Sequence, residues 1–245
     1  MTRLALLALL LPLTACGGDG AAKEGGGELT VLAAASLTDV FDELATPFEE
    51  EHDTDVVLSF GSSTDLAEQV ADGARGDVLA TADEDSMQLA EDAGVTGEVE
   101  TFATNVLTIV VPRGNPAGIE SLDDLADATW VRCSDEVPCG RAALAVLDAN
   151  GVTAEPVSLE EDVRATLDKV VSGEADAGLV YATDAVAAAD DVDAVEIPGA
   201  GEVLTSYLAA TLEQAADVDL AADWVAWLTS DEGQAILGGA GFGSP

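Results

Sequence analysis

An α/β fold built from mostly parallel sheets is predicted for this 245-residue chain by three observations. Short apolar runs of strand length alternate with segments of helical period, the pattern of repeated βα units. Glycine stands just past several of the helical segments, at Ala71-Asp72-Gly73, Ala93-Gly94 and Asn150-Gly151, where a left-handed residue closes a helix. A hydrophobic content of 48% and a mean hydropathy of +0.25 supply the core that such layers need.

Taken in order, Leu29–Ala34 (LTVLAA) is the first strand and Leu37–Glu51 the helix that follows it. Val56–Phe60 and Val78–Ala80 are strands, followed by helices over Thr64–Gly73 and Ser86–Ala93. Val106–Val111 (VLTIVV), Trp130–Arg132 and Ala177–Tyr181 are the strands of the second half. Its helices are Leu122–Ala126, Arg141–Asn150, Val163–Ser172 and Asp184–Ala189. Two helices, Asp217–Leu228 and Asp231–Leu237, close the chain. No internal repeat and no long linker follows Gly27, so the two halves must be joined by extended crossings.

The charge narrows the function. With 48 Asp and Glu against 8 Lys and Arg the formal charge is −40, which repels DNA and RNA, so no nucleic-acid partner is expected. Charge of that size usually accompanies disorder, but the apolar content argues for a folded core that offsets the self-repulsion.

Residues 1–15 (MTRLALLALLLPLTA) have one Arg, an apolar run from Leu4 to Leu11 and then Pro12: a secretory signal too short to span a bilayer as a helix. Leu13-Thr14-Ala15-Cys16 resembles the bacterial lipobox, with Cys16 as the lipidated residue; an ordinary secretory signal is the other reading. Residues 16–27 form a Gly-rich tether, so the expected chain is anchored to the outer face of the cell membrane by acyl groups rather than spanning it. Of the three cysteines, Cys133 and Cys139 then remain. An even pair six positions apart outside the cytoplasm reads as a disulfide-closed loop, with two free thiols as the alternative. A zinc site is poorly supported, because the only histidine, His52, is remote in sequence.

What lies at the helix starts carries the chemistry. Ser36 ends the first strand and precedes a helix; Ser62 and Ser63 do the same after VVLSFG. Each alone also reads as an N-cap. In a parallel layout, however, the carboxyl ends of adjacent strands line one crevice, where ligands bind and helix N-termini favour anions. The device recurs at Pro138-Cys139-Gly140, Glu161-Asp162-Val163 and Tyr181-Ala182-Thr183. Five helix starts would converge on one cleft and hold an anion by peptide dipoles and hydroxyls, without Lys or Arg. Arg164 could screen a bound dianion or pair with Glu160, Glu161 or Asp168 on its own helix, and the pairing is expected as its main role.

The blocks AAASLTDVFDELATPFEEE, FGSSTDLAEQVADGARGDVLATAD, LEEDVRATLDKVVSGEADAGLVYATDA and SDEGQAILGGAGF resemble, in the same order, the molybdate-binding proteins of bacterial ABC importers. The resemblance runs from Glu28 to Phe242. It implies a two-lobed type II solute-binding protein, each lobe a mostly parallel sheet flanked by helices, with the ligand cleft between. It implies residues 28–103 plus 208–245 as lobe one and 104–207 as lobe two, with crossings near Thr104–Leu107 and Ser206–Ala209. Carried over by position, the oxyanion ligands are Ser36, Ser63, the backbone N–H groups of Cys139 and Val163, and Tyr181, with Ser62 in support. Cys139 stands where relatives have a small residue, and Thr205-Ser206 replaces a Tyr-Pro pair that often precedes the return strand.

The implied ligand is molybdate or tungstate, with sulfate the alternative on the same fold; the only metal is that of the oxyanion itself. A donor-only site suits a fully deprotonated tetrahedral dianion, whereas hydrogen phosphate also needs an acceptor. No cofactor is expected, the partner is an ABC permease, and a monomer is expected. A lipoprotein enzyme on the same two-lobed fold is the alternative outside the binding proteins, but it is not the expected reading: there is no H-E-x-x-H or G-x-S-x-G motif, and the acidic runs lack EF-hand spacing.

Overall fold

The computed structural model describes residues 27–245. The signal segment, Cys16 and the tether up to residue 26 lie outside the described residues.

Among the described residues, ten strands form two five-stranded sheets that eight α-helices flank. The first contains β1 (Glu28–Ala34), β2 (Asp55–Gly61), β3 (Val78–Thr81), β4 (Thr96–Asn105) and β10 (Thr205–Leu212), in the order β2-β1-β3-β10-β4. The second contains β5 (Leu107–Pro112), β6 (Trp130–Cys133), β7 (Ser158–Glu160), β8 (Ala177–Tyr181) and β9 (Val192–Val195), in the order β7-β6-β8-β5-β9. In each sheet four strands run one way and a single strand, β10 or β5, is inserted antiparallel.

The two sheets share one plan. Counting each sheet's co-directional strands in chain order, both read second, first, third, insert, fourth. The insert is in both cases the strand that arrives from the other sheet: β5 follows β4 after Val106 alone, and β10 follows β9. Each lobe thus completes its sheet with the first strand to enter it from its partner, a symmetry of topology that has no counterpart as a sequence repeat.

The helices are α1 (Thr38–His52), α2 (Ser63–Ala71), α3 (Glu84–Asp92), α4 (Pro138–Ala149), α5 (Val163–Val171), α6 (Ala182–Ala187), α7 (Val218–Thr229) and α8 (Asp231–Gly239). Helix α1 buries Val40, Phe41, Leu44, Ala45 and Phe48, a stripe at helical spacing. Each of the larger side chains in it contributes about 1.5–3 kcal/mol by leaving water. Phe41 and Phe48 meet Trp224 of α7 edge-on, with ring centroids 5.6 and 5.0 Å apart. The second sheet has its own core around Trp130, Ile109, Leu179 and Val146.

Four strands have no counterpart in the sequence expectation: β4, β7, β9 and β10. Strand β4 (TGEVETFATN) is an edge strand with Thr and Glu on its wet face, so its apolar run is interrupted. Strand β10 (TSYLAATL) spans the stretch in which the sequence places a crossing, because small Ala and Ser residues weaken its strand signal. The expected helix Leu122–Ala126 is a 3-10 helix, Leu122–Asp127, opened by a Ser121/Asp124 capping box. The helix expected at Asp184–Ala189 starts two residues earlier, as α6.

The crossings lie side by side, since Asn105 at the end of β4 is in register with Thr205 at the start of β10. No helix among the described residues is long and apolar enough to cross a membrane.

Candidate functional site

The carboxyl ends of β1, β2, β6, β7 and β8 each feed a helical turn, and those turns enclose a cavity of ≈ 20 Å³. On the same measure one water takes about 10–15 Å³, so the space suits a compact polar ion and excludes a sugar or a peptide. Its walls include Ser36, Ser62, Ser63, Cys139, Val163 and Tyr181, with Asp162 beside them. All six side chains or backbone donors singled out from the sequence are therefore brought to one place.

The hydrogen-bonding state of each group is informative. Ser62 Oγ and Tyr181 Oη, in residues only 6% and 1% exposed, are buried and have no hydrogen-bond partner among the described residues. An unpaired buried hydroxyl costs about 1–3 kcal/mol, so two on one small cavity mark groups held for a ligand. Ser63 Oγ accepts the Ala82 N–H at 3.0 Å, which leaves its own proton free. Cys139 and Val163 lie in the first turns of α4 and α5, where backbone N–H groups have no intrahelical acceptor. The Asp162 carboxylate is turned back as the N-cap of α5, accepting the Ala165 N–H at 2.9 Å.

The loop bearing Cys139 is held by covalent and steric means. Cys133 at the end of β6 is disulfide-bonded to Cys139, with Cα atoms 5.7 Å apart. Next to it, a Cβ on Gly140 would lie 1.7 Å from the Ser134 carbonyl oxygen, so α4 approaches this loop at a distance that only glycine permits.

Behind Ser36 runs a buried polar chain that sequence reasoning did not find. Ser36 Oγ lies 2.8 Å from Tyr207 Oη, on the inserted strand β10. Asn105 Nδ2 donates to Tyr207 Oη at 3.4 Å and to Thr183 Oγ1 at 2.8 Å, while its Oδ1 accepts the Val106 N–H at 2.9 Å. The chain's two tyrosines, Tyr181 and Tyr207, meet edge-on with ring centroids 5.9 Å apart. Burial, more than any neighbouring charge, pushes both phenols up, so both stay protonated donors.

Two arginines span the cleft from the second sheet's helices to the first sheet's. Arg141 of α4 reaches Asp83 Oδ2 through Nη2 at 2.6 Å and Ser86 Oγ at 3.0 Å. Arg164 of α5 pairs with Asp39 of α1 and, through Nε at 3.2 Å, with Asp184 Oδ1. This corrects the expectation that Arg164 pairs along its own helix. The cleft offers it Asp39 and the fully buried Asp184, whereas Glu160, Glu161 and Asp168 are not its partners. Burial raises the Asp184 carboxyl to about 7 against the opposing pull of Arg164. No sequence signal marks these pairs, because 48 acids surround few cations and any pairing looks equally plausible on paper.

His52 stacks on Phe48 at 4.1 Å and takes no part in the cavity. Among the described residues, no group of three or more His, Cys, Asp or Glu could hold a metal ion.

Two lobes with a shared strand plan, closed over a donor-lined cavity at their junction, define the class of two-lobed solute receptors. The chain belongs to the bacterial extracellular solute-binding protein family, which matches residues 29–243, and is a solute receptor rather than an enzyme. It is 38% identical to the molybdate-binding protein ModA of Mycobacterium tuberculosis, over 97% of this chain and 95% of the relative. It is 36% identical to the molybdate-binding protein ModA of Escherichia coli, over 71% of this chain and 72% of the relative. The Azotobacter vinelandii periplasmic molybdate-binding protein shares the fold with a TM-score of 0.79 at 23% identity, over 89% of this chain and 99% of that one.

Proposed function

We propose that this protein is a lipid-anchored extracytoplasmic receptor that captures molybdate, or tungstate of like charge and shape, and delivers it to an ABC permease. The observation that carries the reading is the pair of unpartnered buried hydroxyls, Ser62 and Tyr181, on a cavity sized for a compact ion. Ser36, Ser63 and Tyr181 supply hydroxyl donors, Cys139 and Val163 supply backbone donors, and Ser62 lies beside them. Each hydrogen bond to the dianion contributes about 1.5–3 kcal/mol, enough in sum to offset dehydration. Helix N-termini add a favourable field without a formal positive charge in contact with the ion.

In this reading residues 28–103 plus 208–245 move as one lobe and 104–207 as the other, hinged at the paired crossings around Asn105 and Thr205. The oxyanion enters the open cleft, meets Ser36 and Ser63 on one side, and draws in Cys139, Val163 and Tyr181 from the other. Closure presents the permease with a defined surface. The protein acts as a monomer, tethered through Cys16.

The deciding experiment is calorimetry with molybdate, tungstate, sulfate and phosphate. Tightest binding of molybdate or tungstate is expected; tightest binding of phosphate, or none, would overturn the assignment. Anchoring is tested separately by fractionating cells that express the full chain and Cys16→Ser. Only the former should stay with the membrane.

A further inference from the structure

We propose that Asn105, acting through Tyr207, is the positioning residue that compels Ser36 to donate into the cavity, and so helps select oxyanions that carry no proton. The inference rests on the reading of Ser36 as a ligand group. The Val106 N–H can only donate, so the Asn105 atom facing it at 2.9 Å is the carbonyl oxygen. The remaining atom is then the amide nitrogen, which can only donate, and Thr183 Oγ1 and Tyr207 Oη must accept from it.

Tyr207 is 0% exposed, and with Asn105 occupying its acceptor side its own proton must go to Ser36 Oγ at 2.8 Å. Were Ser36 the donor instead, the phenol proton would be buried without an acceptor, a cost of about tenfold or more in the population of that state. Ser36 therefore accepts from behind, and its hydroxyl proton faces the cavity that it lines. Ser63 is set the same way by a different device, the Ala82 N–H. At both serines of the first lobe, a fixed donor behind turns an ambivalent hydroxyl into an obligatory donor.

The origin of the chain is also informative. Val106 is the single residue between β4 and β5, and Tyr207 lies on β10, the return strand. The two crossings between lobes thus hold the first and third members of the relay, so donor direction at Ser36 is tied to the hinge rather than to its own lobe alone.

The test is the ratio of molybdate to monohydrogen phosphate affinity in slightly alkaline buffer, where both are dianions and a change in site charge cancels. In Asn105→Asp, an added carboxylate oxygen accepts the Tyr207 proton, Tyr207 accepts from Ser36, and Ser36 turns a lone pair to the cavity. The ratio should fall by about tenfold or more, the worth of one hydrogen bond to a charged group. Tyr207→Phe keeps the ring packing and cuts the relay, leaving Ser36 free to rotate, so its ratio should lie between wild type and Asn105→Asp. In the double variant Asn105→Asp with Tyr207→Phe, the ratio should equal that of Tyr207→Phe alone, because the aspartate no longer has a path to Ser36.

Equal loss for both anions in Asn105→Asp, or a further change on adding it to Tyr207→Phe, would overturn the relay. If Asn105→Asp does not fold, an unchanged ratio in Tyr207→Phe overturns it alone. Unchanged molybdate affinity in Ser36→Ala would instead remove the ligand assignment beneath it.

Discussion

Arg141 Nη2 on α4 lies 2.6 Å from Asp83 Oδ2, the carboxylate that also caps α3 from the opposite lobe by accepting the Ser86 N–H at 3.0 Å. Together with the Arg164–Asp39 pair, this puts a cation–carboxylate bridge on either flank of the cavity. Both arginines are about a quarter exposed, so solvent screens them and each bridge contributes modestly, about 1 kcal/mol. In the proposed opening of the cleft both bridges break, since each joins a helix of one sheet to a helix or cap of the other. Arg141→Ala should weaken molybdate binding about fivefold, mainly through faster release, with the melting temperature of the unliganded protein little changed; Arg164→Ala should weaken binding similarly but also lower the melting temperature, because it leaves the buried Asp184 without its cation. Stopped-flow release and calorimetry check this. A slower capture rate with unchanged release would contradict the latch.

Tyr181→Phe separates binding from stability. The phenol oxygen is buried without a partner, so the unliganded fold gains by losing it. The melting temperature of the ligand-free protein should stay level or rise, while molybdate affinity falls about tenfold or more. A parallel loss of both would mean that the hydroxyl has a structural partner and no ligand.

Gly140→Ala probes the donor loop. The added methyl would meet the Ser134 carbonyl oxygen at 1.7 Å and force α4 away from β6, carrying the Cys139 N–H with it. Backbone displacement of this kind costs about 1–3 kcal/mol, or several degrees in a domain of this size. Affinity should drop as well. Reducing the Cys133–Cys139 bridge, which closes a short loop, should lower the melting temperature in the same direction, by about 2 kcal/mol of stability. Differential scanning fluorimetry with and without molybdate reads both effects.

Asp184 sets a pH dependence. Its carboxyl is raised from 3.8 to about 7 chiefly by burial, so the folded state holds the proton more tightly than the unfolded chain does. A raised carboxyl leaves stability undiminished below pH 3.8 and removes it progressively as pH rises toward 7. In Asp184→Asn that loss is absent. The melting temperature of the variant minus that of wild type should therefore increase between pH 5 and 8. A difference that stayed flat or shrank would show that Arg164 fully compensates the buried charge.

The βα repetition is legible in the sequence, because apolar period and glycine stops are local properties of the chain. The gathering of Ser36, Ser62, Ser63, Cys139, Val163 and Tyr181 around one cavity is legible too, since all stand at strand-to-helix junctions and parallel strands carry such junctions to one edge. Tertiary structure alone decided the rest. Strand β10 is invisible as a local pattern yet is paired on both sides in the first sheet, since what makes it a strand is the slot between β3 and β4. Tyr207 meets Ser36 across 171 positions, and Arg141 meets Asp83 across 58. In a chain with 48 carboxylates, charge complementarity cannot choose one partner over another. Only the closure of two lobes places a given arginine beside a given acid and a given phenol behind a given serine, because hydrogen bonds and ion pairs are short-range and the fold sets every distance.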